Sequence, residues 1–242
     1  METGIRKLYE RYALPKLVHL ACGVEPVMQQ RAKVVPAAAG RVLEIGFGTG
    51  RNLSLYDPAR VAHVWALEPS AAMWALGREA AARAPFSVEL VQAPAEAIPL
   101  ADGSVDTVLI TYTLCTIPDV ARAMEQVRRV LRRDGRVLFC EHGASPDPDV
   151  LRWQNRLDPL WTRLAGGCHL NRRIPELLER NGFDVLDLSA GYAPGWKVDS
   201  FHYRGTAVPA RAASVHLNGA NRGRPHTRHQ HPGEPASPGP RP

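Results

Sequence analysis

The run Arg41–Gly50 constrains the fold more than any other part of the chain. Apolar residues from Val42 to Ile45 predict a short buried strand, and glycines at 46, 48 and 50 follow it directly. Glycine tolerates positive φ and has no Cβ, so such a turn can lie close to a ligand. The spacing differs from the G-x-G-x-x-G pattern of pyrophosphate-binding turns, because Arg51 stands at the third glycine position. A ligand-binding turn is favoured over an ordinary glycine-rich loop.

Short apolar segments alternate with helical segments along most of the chain. Strands rich in Val, Leu and Phe are predicted at 61–67, 87–92, 107–111, 136–140 and 183–189. Helices are predicted at 71–84, 120–132 and 174–181, and a helical segment interrupted near Pro15 is predicted at 5–28. Strands separated by helices indicate an α/β fold, with a mostly parallel sheet and helices on both faces.

Charge and composition divide the chain into one folded domain and a tail. The 242 residues are 45% hydrophobic, which is enough for one well-buried domain. The segment 211–242 has five arginines against one glutamate, so most of the net charge of +6 lies there. It has few apolar residues to offset its chain entropy, and we expect it to be disordered. Such a tail is compatible with peripheral contact with an anionic membrane surface, and equally with no partner. Its histidines, at 216, 226, 229 and 231, follow no common metal-ligand spacing.

Targeting signals and cysteine spacing bear on location and metal binding. No apolar run approaches the roughly 20 residues that span a bilayer, and the N-terminus lacks a secretory pattern, so we expect a cytoplasmic protein. Cys22, Cys115, Cys140 and Cys168 are far apart and form no C-x-x-C pair. This spacing suggests neither a zinc site nor a disulfide framework, and no metal is expected.

Residues that directly follow strands are the first candidates for a site, because ligands of parallel sheets lie beyond the carboxyl ends of the strands. Glu68 follows the second predicted strand, roughly twenty residues after the glycines, where a carboxylate can accept both hydroxyls of a ribose. A surface charge at a strand end is the alternative. His142 follows the fifth predicted strand and is therefore expected at the same edge.

Several segments, taken in order, resemble the class I S-adenosylmethionine-dependent methyltransferases across about 40–208. They are LEIGFGTG, ALEPS, PAEAIPL, DGSVDTVLITYTLC, VRRVLRRDGRVLF and the strand ending in FCEH. Further phrases, at 114–115, 141–142 and 167–172, look most like the thiol S-methyltransferases and their bacterial relatives. Ubiquinone and menaquinone biosynthesis methyltransferases are also similar. The resemblance implies a Rossmann-like three-layer sandwich with a seven-stranded sheet, formed by 40–210 beneath a helical cap at 1–39.

The resemblance also implies S-adenosylmethionine as cofactor and a set of residues that bind it. Glu44 suits a cationic ligand. Pro94 stands where an aspartate often accepts the adenine amino group, so we expect an atypical adenine contact. Thr111 and Tyr112 are expected at the methionine end. The full expected set is Glu44, Gly46, Gly48, Gly50, Asn52, Glu68, Pro69, Ala95, Glu96, Thr111 and Tyr112.

The acceptor side is expected in an insertion at 143–173, where such enzymes often build the acceptor pocket. A thiol or phenol acceptor must lose a proton, so a base is useful. His142 is the first candidate for this base, with a structural histidine as the alternative, and Asp158 and His169 come second. An apolar acceptor wall is expected from Trp153, Trp161, Trp196, Phe201 and Tyr203.

The resemblance predicts methyl transfer to a small molecule, with a thiol as the favoured acceptor. C-, O- or N-methylation of a quinone precursor, a phospholipid amine or another metabolite stays open. A nucleic-acid methyltransferase is disfavoured because the charge outside the tail is nearly balanced and no Asn-Pro-Pro-Tyr motif follows the fourth strand. A non-catalytic cofactor-binding protein also stays open, since a fold does not establish an activity. The sequence carries no signal for oligomeric state.

Overall fold

A central sheet organises the chain, of which the computed structural model describes residue 4 and residues 7–210. The strands are β1 (Gly40–Ile45), β2 (Val61–Leu67), β3 (Ser87–Val91), β4 (Val105–Thr111), β5 (Leu131–His142), β6 (Phe183–Tyr192) and β7 (Phe201–Pro209). A π-helical turn at Tyr9–Ala13 precedes the helices α1 (Leu14–Ala21), α2 (Glu25–Ala32), α3 (Ala71–Ala82), α4 (Val120–Val130), α5 (Pro148–Leu164) and α6 (Ile174–Arg180). The predicted tail at 211–242 lies outside the described residues.

The strand order is β3-β2-β1-β4-β5-β7-β6. Neighbouring strands from β3 to β5 pair in parallel, whereas β7 is antiparallel to both β5 and β6. Only β7 therefore runs against the others, and the predicted mostly parallel seven-stranded sheet is confirmed. The chain order reverses between β1 and β4, and such a switch point is where ligands of open α/β sheets bind.

The sheet is covered on both faces because alternate residues of its central strands point in opposite directions. Leu43 and Ile45 of β1 pack into a core with the apolar side of α4 and with α6. Val42 packs on the other face, in a core with Val64 and Leu109. The three-layer arrangement follows from this alternation, and all the central strands end at one edge.

Two elements were not predicted individually. The segment 143–173 is expected to be an insertion, and it contains the 17-residue helix α5. Pro148 occupies the first turn of α5, where proline is tolerated, and the Asp147 carboxylate accepts from the N–H of Asp149 at 2.9 Å. Strand β7 was missed because Gly205 interrupts its apolar pattern. That glycine is required, since a Cβ there would overlap the Asp187 backbone of β6.

A buried hydrogen-bonded network joins the ends of β1 and β4. Glu44 is fully buried, and its two carboxylate oxygens accept from Asn52 Nδ2 at 2.9 Å and from the Tyr56 hydroxyl at 2.6 Å. Asn52 Nδ2 also donates to Thr111 Oγ1 at 2.9 Å. Burial raises the pKa of Glu44 from 4.5 to about 7 although both bonds favour the charged form.

Glu44 should make stability depend on pH. Between pH 4.5 and about 7 the folded chain holds a proton that the unfolded chain has lost, so this contribution is complete below pH 4.5 and is lost as the pH rises to about 7. Glu44→Gln removes the titration. In urea unfolding the wild type should lose up to about 3 kcal/mol relative to the variant across this window. A difference between the two proteins that does not change with pH would contradict the prediction.

Candidate active site

A cavity of about 680 Å³ lies at the carboxyl ends of β1, β2 and β4, at the switch point. Its volume falls within the roughly 300–1,000 Å³ of small-molecule sites. The loops after these strands, the loop after β3, helices α1 and α2 and the segment after α5 form its wall. Among the predicted cofactor residues, those that line it are Gly46, Gly48, Glu68, Pro69, Ala95, Glu96, Thr111 and Tyr112.

The three glycines after β1 all have positive φ, but they have different surroundings. A Cβ on Gly46 would overlap Thr113, and one on Gly50 would lie 3.0 Å from Leu53 Cδ1. A Cβ on Gly48 would meet only Met73 Cε, at 3.5 Å, and its own loop. Gly46 and Gly50 therefore shape the turn, and Gly48 brings backbone to the cavity. Gly50 itself does not line the cavity.

The Glu68 carboxylate holds the glycine turn against the end of β2. One of its oxygens accepts from the N–H of Gly48 at 2.8 Å, and the other from the N–H of Ser70 at 2.9 Å. Burial raises the pKa of Glu68, and these two backbone bonds oppose the shift. Glu68 lines the cavity, so it joins two parts of the site as well as facing a ligand. Glu44 and Asn52 lie behind the wall and support it through the buried network.

Arg31, on α2, is a site residue that the sequence did not indicate. It is 5% exposed and lines the cavity. Its Nη1 donates to Asn52 Oδ1 at 2.9 Å and to Thr111 Oγ1 at 2.5 Å, while its Nε has no partner among the described residues. Helix α2 carries no apolar stripe, and no motif surrounds Arg31, so only the fold could place it here.

Tyr112 is held in a strained backbone conformation at the end of β4. It is the one non-glycine residue with positive φ, +53°, in the part of the chain that the structure describes. Strain of this kind concentrates at functional sites. Its ring lies against the guanidinium of Arg31, whose Cζ is 4.8 Å from the ring centroid. Burial raises the pKa of Tyr112 well above its usual value, so its hydroxyl stays protonated.

The structure places the three predicted catalytic residues outside the cavity wall. His142 Nε2 lies 3.2 Å from Cys168 Sγ, and its ring stacks on Tyr112 with centroids 6.4 Å apart. Burial lowers the pKa of His142, and the adjacent Cys115 sulfur and Glu141 more than offset this, raising it to about 9. This arrangement gives His142 no direct contact with an acceptor in the cavity.

Asp158 and His169 form a pair that positions the segment after α5. One Asp158 oxygen accepts from the N–H of Leu170 at 2.7 Å, and the other lies 2.9 Å from His169 Nδ1. The N–H of His169 donates to the carbonyl of Cys115 at 2.9 Å. Neither side chain lines the cavity. These contacts connect α5 to the loop after β4.

The apolar wall also differs from the prediction. Trp153 and Trp196 are 55% and 52% exposed, and none of the five predicted aromatic residues lines the cavity. The wall is formed instead by residues of α1, of the loop after β4 and of the end of α5, which include Leu14, Pro15, Val18, Cys22, Thr116, Ile117, Pro118, Ala165 and Gly166. The loop after β4 could have been suspected, because it follows a strand. Helix α1 belongs to the helical cap expected at 1–39, but no motif marks its residues as part of the wall.

Helix α1 is attached to the glycine turn by two polar contacts. The guanidinium of Arg51 donates to the carbonyl of His19 at 2.7 Å, and His19 Nδ1 lies 2.8 Å from Thr49 Oγ1. Burial lowers the pKa of His19, and Arg51 adds to the shift. The turn thus positions α1 as well as the ligand side of the cavity. No helix among the described residues is long and apolar enough to cross a bilayer.

The cavity offers the groups that S-adenosylmethionine requires. Gly48 provides backbone without a Cβ, Glu68 a buried carboxylate and Arg31 a buried guanidinium with an unpartnered Nε. These three suit, in turn, a close approach of backbone, ribose hydroxyls and an amino-acid carboxylate. The predicted adenine loop, with its departure at Pro94, forms a short 3₁₀ turn at Ala95–Ala97 on the same wall.

Comparisons with known proteins agree with this geometry. The family model described as "Methyltransferase domain" matches residues 43–139. The human protein "Thiol S-methyltransferase TMT1A" is 34% identical over 178 residues, which cover 72% of each chain. The ubiquinone/menaquinone biosynthesis C-methyltransferase UbiE of Geotalea uraniireducens (strain Rf4) is 34% identical over 110 residues, covering 43% of this chain and 46% of the relative.

The fold has the same affiliation. The structure of a SAM-dependent methyltransferase from Leishmania major superimposes with a TM-score of 0.61 at 17% identity, covering 85% of this chain and 82% of that one. Identity this low shows the fold alone, whereas 34% identity across most of two chains shows common descent. The protein belongs to the class I S-adenosylmethionine-dependent methyltransferases.

Proposed function

We propose that the protein transfers the cofactor's methyl group to the sulfur of small, mainly apolar thiols. The observation that carries this proposal is the composition of the cavity wall. Two arginines, Arg31 and Arg51, line it, and no histidine of the described residues does. The similarity to the human thiol S-methyltransferase supports the same acceptor class.

Each end of the cavity has its own role in this proposal. When bound, the cofactor supplies an electrophilic methyl group on a sulfonium. Glu68 accepts the ribose hydroxyls, Gly48 admits the ligand beside the turn, and Arg31 binds the amino-acid carboxylate. Leu14, Val18 and their apolar neighbours exclude water and hold the acceptor in line with the methyl group, which accounts for much of the acceleration in such displacements.

A thiol suits a wall that lacks an imidazole base. Free thiols have a pKa of about 8.5, so a few per cent are thiolate at neutral pH without any base. The positive charges of Arg51 and of the bound cofactor's sulfonium favour that anion. The other ionisable groups are occupied or protonated. Glu68 accepts two backbone N–H groups, and Glu96 accepts from the N–H of Asp119 at 3.2 Å. Burial raises the pKa of Tyr112 and of the Cys22 thiol, so both hold their protons.

Carbon methylation of a quinol is the second candidate. It is favoured by the similarity to the ubiquinone and menaquinone enzymes, and an apolar wall would suit such a ring. The UbiE relative covers less of the chain than the thiol methyltransferase does, 43% against 72%. A phenol or quinol is also a weaker acid than a thiol and would depend more on a base.

Gly48→Ala should weaken S-adenosylmethionine binding at least about tenfold, or about 1.4 kcal/mol, because its methyl group enters the cavity. The matched control is Gly103→Ala, which has a similar φ of +57° and no atom within 4 Å of the new Cβ. Both variants should lose similar stability in thermal unfolding, and only the first should lose affinity in calorimetry. Normal affinity of Gly48→Ala would remove this turn from the site.

Arg31→Lys should weaken S-adenosylmethionine binding by about 1.5–3 kcal/mol, because lysine keeps the charge but loses the planar fork. The loss should be absent for 5′-methylthioadenosine, which lacks the amino-acid part. Arg204→Lys is the control, since Arg204 donates to the neighbouring Gln30 at 2.9 Å and does not line the cavity. Equal losses for both ligands would mean that Arg31 is structural and does not bind the carboxylate.

The acceptor class can be tested with thiols of graded acidity, a naphthoquinol and an amine, with S-adenosylhomocysteine and methylated product followed by mass spectrometry. We expect thioethers only. Because no wall base is available, the pH of half-maximal rate should shift with the pKa of each thiol. A midpoint that stays fixed across the series would point to an enzyme base. Product formed from the quinol alone would replace this proposal with the second candidate.

A further inference from the structure

Two cysteines and a histidine meet behind the cavity wall, although they lie far apart in the sequence. Cys115 is in the loop after β4, His142 is the last residue of β5, and Cys168 follows α5. Their sulfur and nitrogen ligand atoms all lie within 4.8 Å of one another, and His142 Nε2 is 3.2 Å from Cys168 Sγ. Residues that are distant in the sequence can therefore form a metal site that no C-x-x-C pair reveals.

We propose that Cys115, His142 and Cys168 bind a zinc ion. Thiolate and imidazole are the ligands that Zn²⁺ prefers, with Zn–S near 2.3 Å and Zn–N near 2.0–2.1 Å. Ligand atoms in a tetrahedral site are then roughly 3.5–3.8 Å apart. The observed separations, 3.2 Å and at most 4.8 Å, differ from that spacing by about 1 Å or less. Three protein ligands leave a fourth position for water, and binding releases to solvent the protons of both thiols and of the His142 imidazolium.

The surroundings of the cluster suit a dication. The buried Glu141 lies beside Cys115, because its Oε1 accepts from the N–H of Leu114 at 3.1 Å, and its Oε2 has no partner among the described residues. Arg172 Nη1 donates to the carbonyls of Leu114 and Ile117. Two thiolates and Glu141 would carry three negative charges, and Arg172 carries one positive charge. Zn²⁺ neutralises the two negative charges that remain. His142 Nδ1 is buried and has no partner among the described residues, and Nε2 is the nitrogen that faces the cluster.

The ion would fix the acceptor side of the cavity. Thr116, next to Cys115, and Gly166, two residues before Cys168, both line the wall. Cys115 Sγ also lies 3.4 Å from Thr116 Oγ1. Zinc would thus join the loop after β4 and the segment after α5, which form part of that wall, to the end of β5 behind it. The site positions these segments, and the inference holds whichever acceptor the enzyme uses.

The test uses the reduced full-length protein, freed of metal by chelation and titrated with Zn²⁺ against a chromophoric competitor and, separately, with Co²⁺. We expect one equivalent and a thiolate-to-cobalt absorption band. Cys168→Ser and Cys115→Ser should weaken Zn²⁺ binding at least about 100-fold and lose the band. Cys22→Ser, which lies on the wall outside the cluster, should keep both. Histidines at 216–231 could bind zinc but give no such band, because all four cysteines precede residue 211.

Three results would overturn the inference. The first is the absence of a thiolate-to-cobalt band when Co²⁺ is added to the folded, reduced wild-type protein. This measurement needs no variant. The second is unchanged zinc affinity in Cys168→Ser, the milder variant because Cys168 is only partly buried. The third is a Cys115–Cys168 disulfide in the untreated protein together with no metal binding after reduction.

Discussion

The buried network around Glu44 is the interaction on which the site depends. It connects the end of β1, the turn that follows and the end of β4, and Arg31 joins it through Asn52 and Thr111. A buried carboxylate without such partners would be costly, so the network has to form as a unit. Because it forms at the switch point, it places the glycine turn and a guanidinium on opposite sides of one cavity. The ligand edge is therefore set by the interior of the fold.

The cofactor side could be predicted from the sequence because its residues are determined locally. A strand followed by glycines fixes where backbone turns, and Glu68 follows the next strand at a position that the parallel topology brings to the same edge. Even on the cofactor side, some of the expected residues do not face the cavity. Glu44, Asn52 and Gly50 belong to the motif, yet they support the wall from behind. Residue spacing predicts which edge a side chain reaches, but not whether it faces the cavity or the interior.

The segments expected on the acceptor side, at 1–39 and 143–173, do contribute to the wall, but its individual residues could not be predicted because these segments share no common pattern. Helix α1, the loop after β4 and the segment after α5 meet only through tertiary packing and through contacts such as Arg51 with His19. His142 illustrates the limit: it follows a strand, as a catalytic residue would, but its side chain turns toward Cys168. A position directly after a strand predicts which edge of the sheet a residue reaches, but it does not predict what the side chain contacts.

Under the proposed function, the charges in the cavity also bear on the class of acceptor. Arg51 lines the wall, and the cofactor's sulfonium adds a second positive charge when it is bound, while Arg31 pairs with the cofactor's carboxylate. The two carboxylates on the wall, Glu68 and Glu96, stand after β2 and β3, on the side assigned to the nucleoside. A protonated amine would enter against repulsion in a poorly solvated space, where such interactions are strongest. A thiol enters as a neutral molecule and becomes an anion that the same charges stabilise. The positive charges of the cavity therefore disfavour amines and activate thiols.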